Sequence, residues 1–172
     1  MSYQSNREWS DKYLGQIKTI IGPHLLEESS FEIDTQQATD LVMINGKTKD
    51  IACRVRKPGY FDKYKYEFTI RSSNKYGNNT EFLKIIKGFA DWAFYGHVDN
   101  SNKIHSWYLI NLDVFRSDLI RRQGFVKLYT NDQTNGPNDT QFKAFDIRSF
   151  SKNILIATNI QVDFFDYVMV DV

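Results

Sequence analysis

The amino-acid sequence predicts an α/β (α+β) protein with a mixed central sheet flanked by helices: a core ordered helix, three strands, helix, strand, then a mostly β extension. Three observations carry that expectation. Trp9, Tyr13, Ile17 and Ile20 recur at helical spacing and draw one apolar stripe near the start. Segments 40–44, 51–56 and 64–71 read as strands with turn signals between them. Leu83, Ile86, Ala90 and Ala93 make a second helical stripe, and the apolar run 105–112 follows it.

The first helix is expected over 6–21, with Ser5 and Glu8 as a capping box and Gly22-Pro23 as its stop. A short extended piece is expected at 31–33. In "NGKTKD" (45–50) Asn-Gly supplies the tight element between the first two strands. "KPGYFDK" (57–63) separates the second from the third, and "SSNKYGNN" (72–79) is a loop. The second helix is expected over 81–95, capped by Asn78 or Thr80 and ended by Gly96. Its other face would carry Glu81, Lys84, Gly88, Asp91 and Tyr95, with the glycine admitting a close neighbour mid-stripe. A buried strand over 105–112 and a helix over 114–123, capped by Asp113 and stopped by Gly124, come next. Strands at 125–130, 141–147, 154–158 and 162–172 close the chain, the first two joined by "NDQTNGPNDT". No linker divides this order, so residues 1–172 read as one domain, with a core over about 6–112 and an extension over about 113–172.

Charge and cysteine usage bound the function. The chain carries 22 basic and 21 acidic residues, a formal net charge of +1, which excludes a polycationic tail but not a local basic patch. Cys53 is the only cysteine, so no internal disulfide forms; flanked by alternating apolar and basic residues, it reads as a small buried strand residue. No apolar run approaches the roughly 18 residues of a membrane span, and the N-terminal residues are polar. The expectation is a soluble protein of the cytoplasm.

Nucleotide loops, dinucleotide fingerprints, zinc-type Cys/His clusters and nucleophile elbows are absent from the sequence. His24, His97 and His105 stand apart, and His97 reads as a helix-end histidine in contact with the dipole. Carboxylates and arginines remain. Asp40 opens an apolar strand and Glu67 lies within one; a carboxylate in such a setting needs a cation beside it. That cation is either an arginine or a hard divalent ion such as Mg²⁺, held by Asp40 and Glu67 at an open sheet end, where it would polarise a phosphate. Arg54, Arg56 and Arg71 would then be phosphate forks. The plainer arrangement is an ion-pair ladder of Glu67 with Arg54 or Arg56; three arginines against one or two carboxylates leave an excess that asks for an external anion. Glu81 and Lys84 form either an i,i+3 pair on a solvated face or the helical wall of the same site.

A leading helix with a Glu, a strand opening on Asp40, a later strand with Glu67, then a helix and a strand resemble the PD-(D/E)XK nuclease superfamily over residues 6–112. The resemblance implies a restriction-endonuclease-like αβββαβ core, in which an Asp and a Glu hold Mg²⁺ and a Lys two residues on activates water. Asp40 and Glu67 match the carboxylates, but Thr69 stands where the Lys belongs and Arg71 lies two positions further. In a second register Ala52 and Arg54 replace Glu and Lys, and Glu81 supplies the missing carboxylate. Glu8 matches the leading-helix Glu. "REWSDKYL", "ATDLVMI", "EFTIRSS" and "DWAFYGH" are also similar to segments of uncharacterised phage and prophage proteins.

The function implied is action on DNA or RNA: Mg²⁺-dependent phosphodiester hydrolysis, with Asp40, Glu67, Arg71 and Glu81 catalytic and Arg54, Arg56, Arg71 and Lys84 on phosphates. Two alternatives stand beside it: nucleic-acid binding without cleavage on the same scaffold, and a phage-type protein-interaction or inhibitor module using the aromatics and "DFFDYVMVDV".

Overall fold

The computed structural model of the chain describes residues 8–9, 11–28, 41–43, 49–73, 80–134 and 141–166. They fall into two compact units, Met1–Lys49 and Asp50–Val172. In the first, helix α1 (Leu14–Ile21) runs into a 3₁₀ turn at Gly22–Leu25, where the Gly-Pro pair was expected to end it. Tyr13, Ile17 and Ile21 are its buried stripe. Strand β1 (Leu26–Glu28) pairs antiparallel with β2 (Leu41–Met43). Ser5, the piece at 31–33 and Asp40 lie outside the described residues.

The second unit runs β3 (Ile51–Arg56), a single turn α2 (Phe61–Tyr64), β4 (Glu67–Ser73), α3 (Glu81–Ile86), β5 (Trp92–Val98), β6 (Ile104–Asn111), α4 (Leu112–Arg121), β7 (Leu128–Thr134), β8 (Gln141–Asp146) and β9 (Leu155–Thr158). Two sheets result, in the orders β3-β5-β6-β9 and β4-β8-β7. The first is mixed, because β3 and β5 are parallel while the other neighbours are antiparallel. The second is antiparallel throughout. The α/β class with a mixed sheet flanked by helices is therefore what the chain forms.

One core serves both sheets. Phe68 and Ile70 of β4, Tyr95 of β5, Tyr108 and Ile110 of β6, Phe115 of α4 and Phe145 of β8 belong to a single buried cluster. At its centre Phe68, Phe115, Phe145 and Phe150 touch pairwise, with ring centroids 5.2–6.1 Å apart. Edge-to-face and offset contacts of this kind add about 0.5–1.5 kcal/mol per pair to the burial of the rings. Helix α4 starts on Asn111, whose side chain accepts from the N–H groups of Asp113 and Val114, so the cap is Asn111 and not the expected Asp113. The Arg116 guanidinium donates to the carbonyls of Ile85 and Ala90 and ties α4 to the end of α3.

Three expectations are corrected. The strands 51–56 and 64–71 do not lie side by side: β3 joins the mixed sheet, β4 the antiparallel one, with the α2 turn between them. The helix expected over 81–95 ends at Ile86, and 92–98 is strand. Gly88, read as a mid-helix gap, has φ +85°. Its N–H bonds to the Ile85 carbonyl and that of Phe89 to the Lys84 carbonyl, the paired bonds of a Schellman stop. Gly96, read as the helix end, lies within β5, where an added Cβ would come 2.9 Å from the Phe94 ring. Periodicity misled here because β5 is buried on both faces and shows no alternation. Finally, 161–166 carries no regular structure where a strand over 162–172 was expected, and 167–172 lies outside the described residues.

Gly88 occupies a left-handed conformation with nothing near its missing Cβ, so Gly88→Ala loses on backbone strain alone. Urea unfolding should show a loss of about 1 kcal/mol or more, with the slope unchanged.

Candidate functional site

The side chains singled out in the sequence divide into two groups. The first lies where β4 meets β3, β5 and α3. The Arg54 guanidinium pairs with the Glu81 carboxylate and also donates to Thr69 Oγ1 at 3.4 Å. Thr69 Oγ1 shares a hydrogen bond with the Tyr95 hydroxyl at 3.2 Å. The Arg71 backbone N–H donates to the same Glu81 oxygen at 3.2 Å. Glu81 is the first residue of α3, capped by Thr80, whose hydroxyl accepts the Leu83 N–H at 3.5 Å. A carboxylate there gains from the helix dipole as well as from Arg54. Beside these groups is a cavity of about 20 Å³, lined among others by Ala52, Thr69, Tyr95 and Ile110, with room for about one water. Lys84 is exposed on α3.

The second group surrounds Glu67. Register places Glu67 directly opposite Asp146 across β4 and β8. Burial pushes the Glu67 carboxyl above its ordinary pKa, the Asp146 charge adds to that, and Arg56 opposes both. Asp146 is 0% exposed. Burial would raise its pKa, but the Arg148 and Tyr129 hydrogen bonds outweigh that and hold it below the ordinary carboxylate value. Arg148 grips it bidentately, Nε to Oδ1 at 3.0 Å and Nη2 to Oδ2 at 2.8 Å, and the Tyr129 hydroxyl donates to Oδ2. Sequence reasoning missed this pair. A bidentate fork on a fully buried carboxylate is strong only as an intact unit.

Around Arg148 and the α2 turn, cations alternate with aromatic rings. Arg148 lies 4.2 Å from the centroid of Tyr66 and 4.7 Å from that of Phe165. Lys65 stands 4.9 Å from Tyr66, Lys127 4.8 Å from Tyr129, and Arg56 4.3 Å from Tyr60. Each such contact contributes about 0.5–1 kcal/mol where exposed. Backbone bonds fix the arrangement: Ile147 N–H to the Tyr66 carbonyl, Asp146 N–H to that of Lys127, and Phe165 N–H to that of Arg148, each at 2.9 Å. The buried Tyr108 hydroxyl donates to the Lys65 carbonyl and pins the connector from below. The signal for half of this surface was present in "RKPGYFDKYKY" (56–66), which interleaves four cations and four aromatics with one acid. The other half, Tyr129, Arg148 and Phe165, is brought in by β7, by the turn after β8 and by the segment beyond β9, and has no local signature.

Of the two expected Mg²⁺ ligands, Glu67 faces Asp146 across β4 and β8. Asp40 lies outside the described residues. Glu81 Oε2 already accepts from Arg54 and the Arg71 N–H, and both Asp146 oxygens accept from Arg148. Among the described residues no group of three or more His, Cys, Asp or Glu side chains is placed to hold a metal ion. Nor is there, among the described residues, a helix long and apolar enough to cross a membrane. Compared with protein-family models, with curated proteins and with solved structures, the chain matches none.

His97 also departs from expectation. It lies within β5 rather than at a helix end and is 1% exposed. Neither ring nitrogen has a hydrogen-bond partner, and Phe61 and Tyr95 pack edge-on against it. Burial first, then the charges of Arg56 and His105, lower its pKa from 6.5 to about 4. The folded protein thus holds a neutral imidazole that the unfolded chain protonates below about pH 6.5. Stability should be full above that pH and fall as pH drops toward 4. His97→Leu should flatten this part of the pH profile and, by removing two unsatisfied nitrogens, raise the urea midpoint at pH 7 by an amount equivalent to about 1 kcal/mol.

Proposed function

We propose that the protein binds nucleic acid without cleaving it, through the cation-and-ring surface formed by 56–66. The observation that carries this reading is the interleaving itself. Arg56, Lys57, Lys63 and Lys65 stand against the single acid Asp62, with Tyr60, Tyr64 and Tyr66 between them. Polyanions bind such surfaces through phosphate neutralisation, and rings among the cations give bases something to stack on. Arg54 is not among the groups offered, since Glu81 holds it. Arg56 remains, its guanidinium over the ring of Tyr60.

Phosphodiester hydrolysis and a restriction-endonuclease-like core stand behind this reading. In favour of that core is the parallel β3–β5 pair, joined by a crossover that contains α3. Against it is the separation of β3 from β4, which breaks the three-strand succession the resemblance needs. A protein-interaction role is favoured by one feature, the apolar stripe Leu83, Ile86 and Phe89, the last 68% exposed, beside Lys84 and Lys87. Under that reading Phe89→Ser should abolish capture of a protein partner from nuclease-treated lysate while leaving oligonucleotide binding intact.

Fluorescence anisotropy with a labelled oligonucleotide tests nucleic-acid binding. Affinity should fall steeply between about 50 and 200 mM salt, and Lys63→Ala should reduce the logarithmic salt slope by about 1. An affinity indifferent to salt, or no binding at about 50 mM, rules the reading out.

A further inference from the structure

We infer that the ligand is a single-stranded polynucleotide whose bases stack on the tyrosine pair Tyr60 and Tyr64; this rests on the nucleic-acid reading above and narrows it. The two rings lie one helical turn apart, Tyr60 at the N-cap of α2 and Tyr64 at its last residue, and the Tyr64 N–H bonds to the Tyr60 carbonyl at 3.0 Å. Residues four apart on a turn face the same way, and here the ring centroids are 5.9 Å apart with planes inclined by 34°. Tyr60 is 39% exposed and Tyr64 41% exposed, and neither belongs to the core cluster.

An isolated exposed aromatic needs no explanation, but two adjoining ones on a turn rich in cations form a platform. The Arg56 guanidinium lies over one face of the Tyr60 ring, 4.3 Å from its centroid, so stacking on Tyr60 uses the other face. Lys63 sits between the tyrosines in sequence and is exposed, and Lys57 and Lys65 flank them. That is the composition of a surface which holds a phosphate backbone and offers ring faces to the bases.

Duplex geometry fits poorly. In a double helix the base faces are occupied by neighbouring bases, so exposed tyrosine rings gain nothing from them. Duplex readers instead insert a helix or a two-stranded ribbon into a groove. The α2 turn is four residues long and lies between two strands, too short to serve as a groove-reading helix. A single strand presents unstacked bases, and the turn holds its two rings before binding, which lowers the ordering cost.

The experiment uses the full chain and three labelled probes of equal length, about ten nucleotides: oligothymidylate, oligouridylate and a mixed-sequence duplex. Anisotropy titrations at low salt are run for the parent, Tyr60→Ala, Tyr64→Ala and the corresponding Phe variants. Expected is at least about tenfold tighter binding of one or both single strands than of duplex. Each Ala change should weaken single-strand binding by about 5- to 150-fold. The Phe variants, which keep the ring, should bind as the parent does, and the salt slope of every variant should match the parent's. Duplex binding as tight as single-strand binding, or Ala variants that bind like the parent, overturns the stacking proposal and leaves the broader reading standing. No binding of any probe at low salt overturns both. Because neither side chain belongs to the core cluster, the circular dichroism of the variants should match the parent's, which shows that the fold is kept.

Discussion

Everything distinctive about this chain follows from the divergence of β3 and β4. Ten residues separate Arg56 from Glu67, and in that span the chain leaves the mixed sheet and enters the antiparallel one. The strands cannot satisfy each other's backbone groups, so each takes a distant partner: β3 pairs with β5, β4 with β8. What links them instead is side-chain chemistry, the Arg54–Thr69–Tyr95 hydrogen bonds and the Glu81 carboxylate that receives both Arg54 and the Arg71 N–H. A half-buried network of this type contributes little per bond, about 1 kcal/mol, but it is costly to leave half made. Together with the shared core it holds the two sheets against each other at this boundary.

The alternating charges of 51–71 acquire their meaning here. Arg54 and Arg56 project from one strand, Glu67 and Thr69 from another, and the two sets address each other across a sheet boundary rather than along one ladder. Arg54 is consumed by this role. Arg56, one pleat further on, reaches the end of the boundary, where its guanidinium meets the ring of Tyr60 and its charge is felt at Glu67 and His97. Each successive arginine is thus less committed to the interior and nearer the outer connector.

The sequence disclosed the class, most strands and the helices α1 and α4, because those elements bury one face and keep their period. It failed where a segment is buried on both faces. In 92–98 the aromatic run hides strand alternation, and Ala90 and Ala93 extend the stripe of α3 past its glycine stop. The same limit applies to the site. Arg54 and Glu81 were marked as chemistry because charges stand out in a strand or a cap, and they do meet. Asp146 and Arg148 carry no such signal, since nothing local says that this carboxylate is fully buried or that Tyr129 reaches it. The basic, aromatic connector was legible in composition but was passed over as a spacer between two strands.

A chain of net charge +1 can still hold a polyanion, because at physiological salt charges more than about 8 Å apart scarcely sense one another. The relevant quantity is the local balance, and on 56–67 four cations stand against two acids, Asp62 and Glu67. So small a cluster neutralises only a few phosphates, so charge alone gives weak, readily reversible attachment. Rings change that balance. Stacking is insensitive to salt and indifferent to base identity, so it adds affinity that charge cannot supply without making the whole molecule basic. The turn that carries the rings is held from beneath by the buried Tyr108 hydroxyl on the Lys65 carbonyl and from the side by the Tyr66 carbonyl on Ile147. A flexible loop with the same residues would forfeit part of the gain in ordering itself. The fold supplies that rigidity, and it does so because β3 and β4 part company and leave a short, braced connector at the surface.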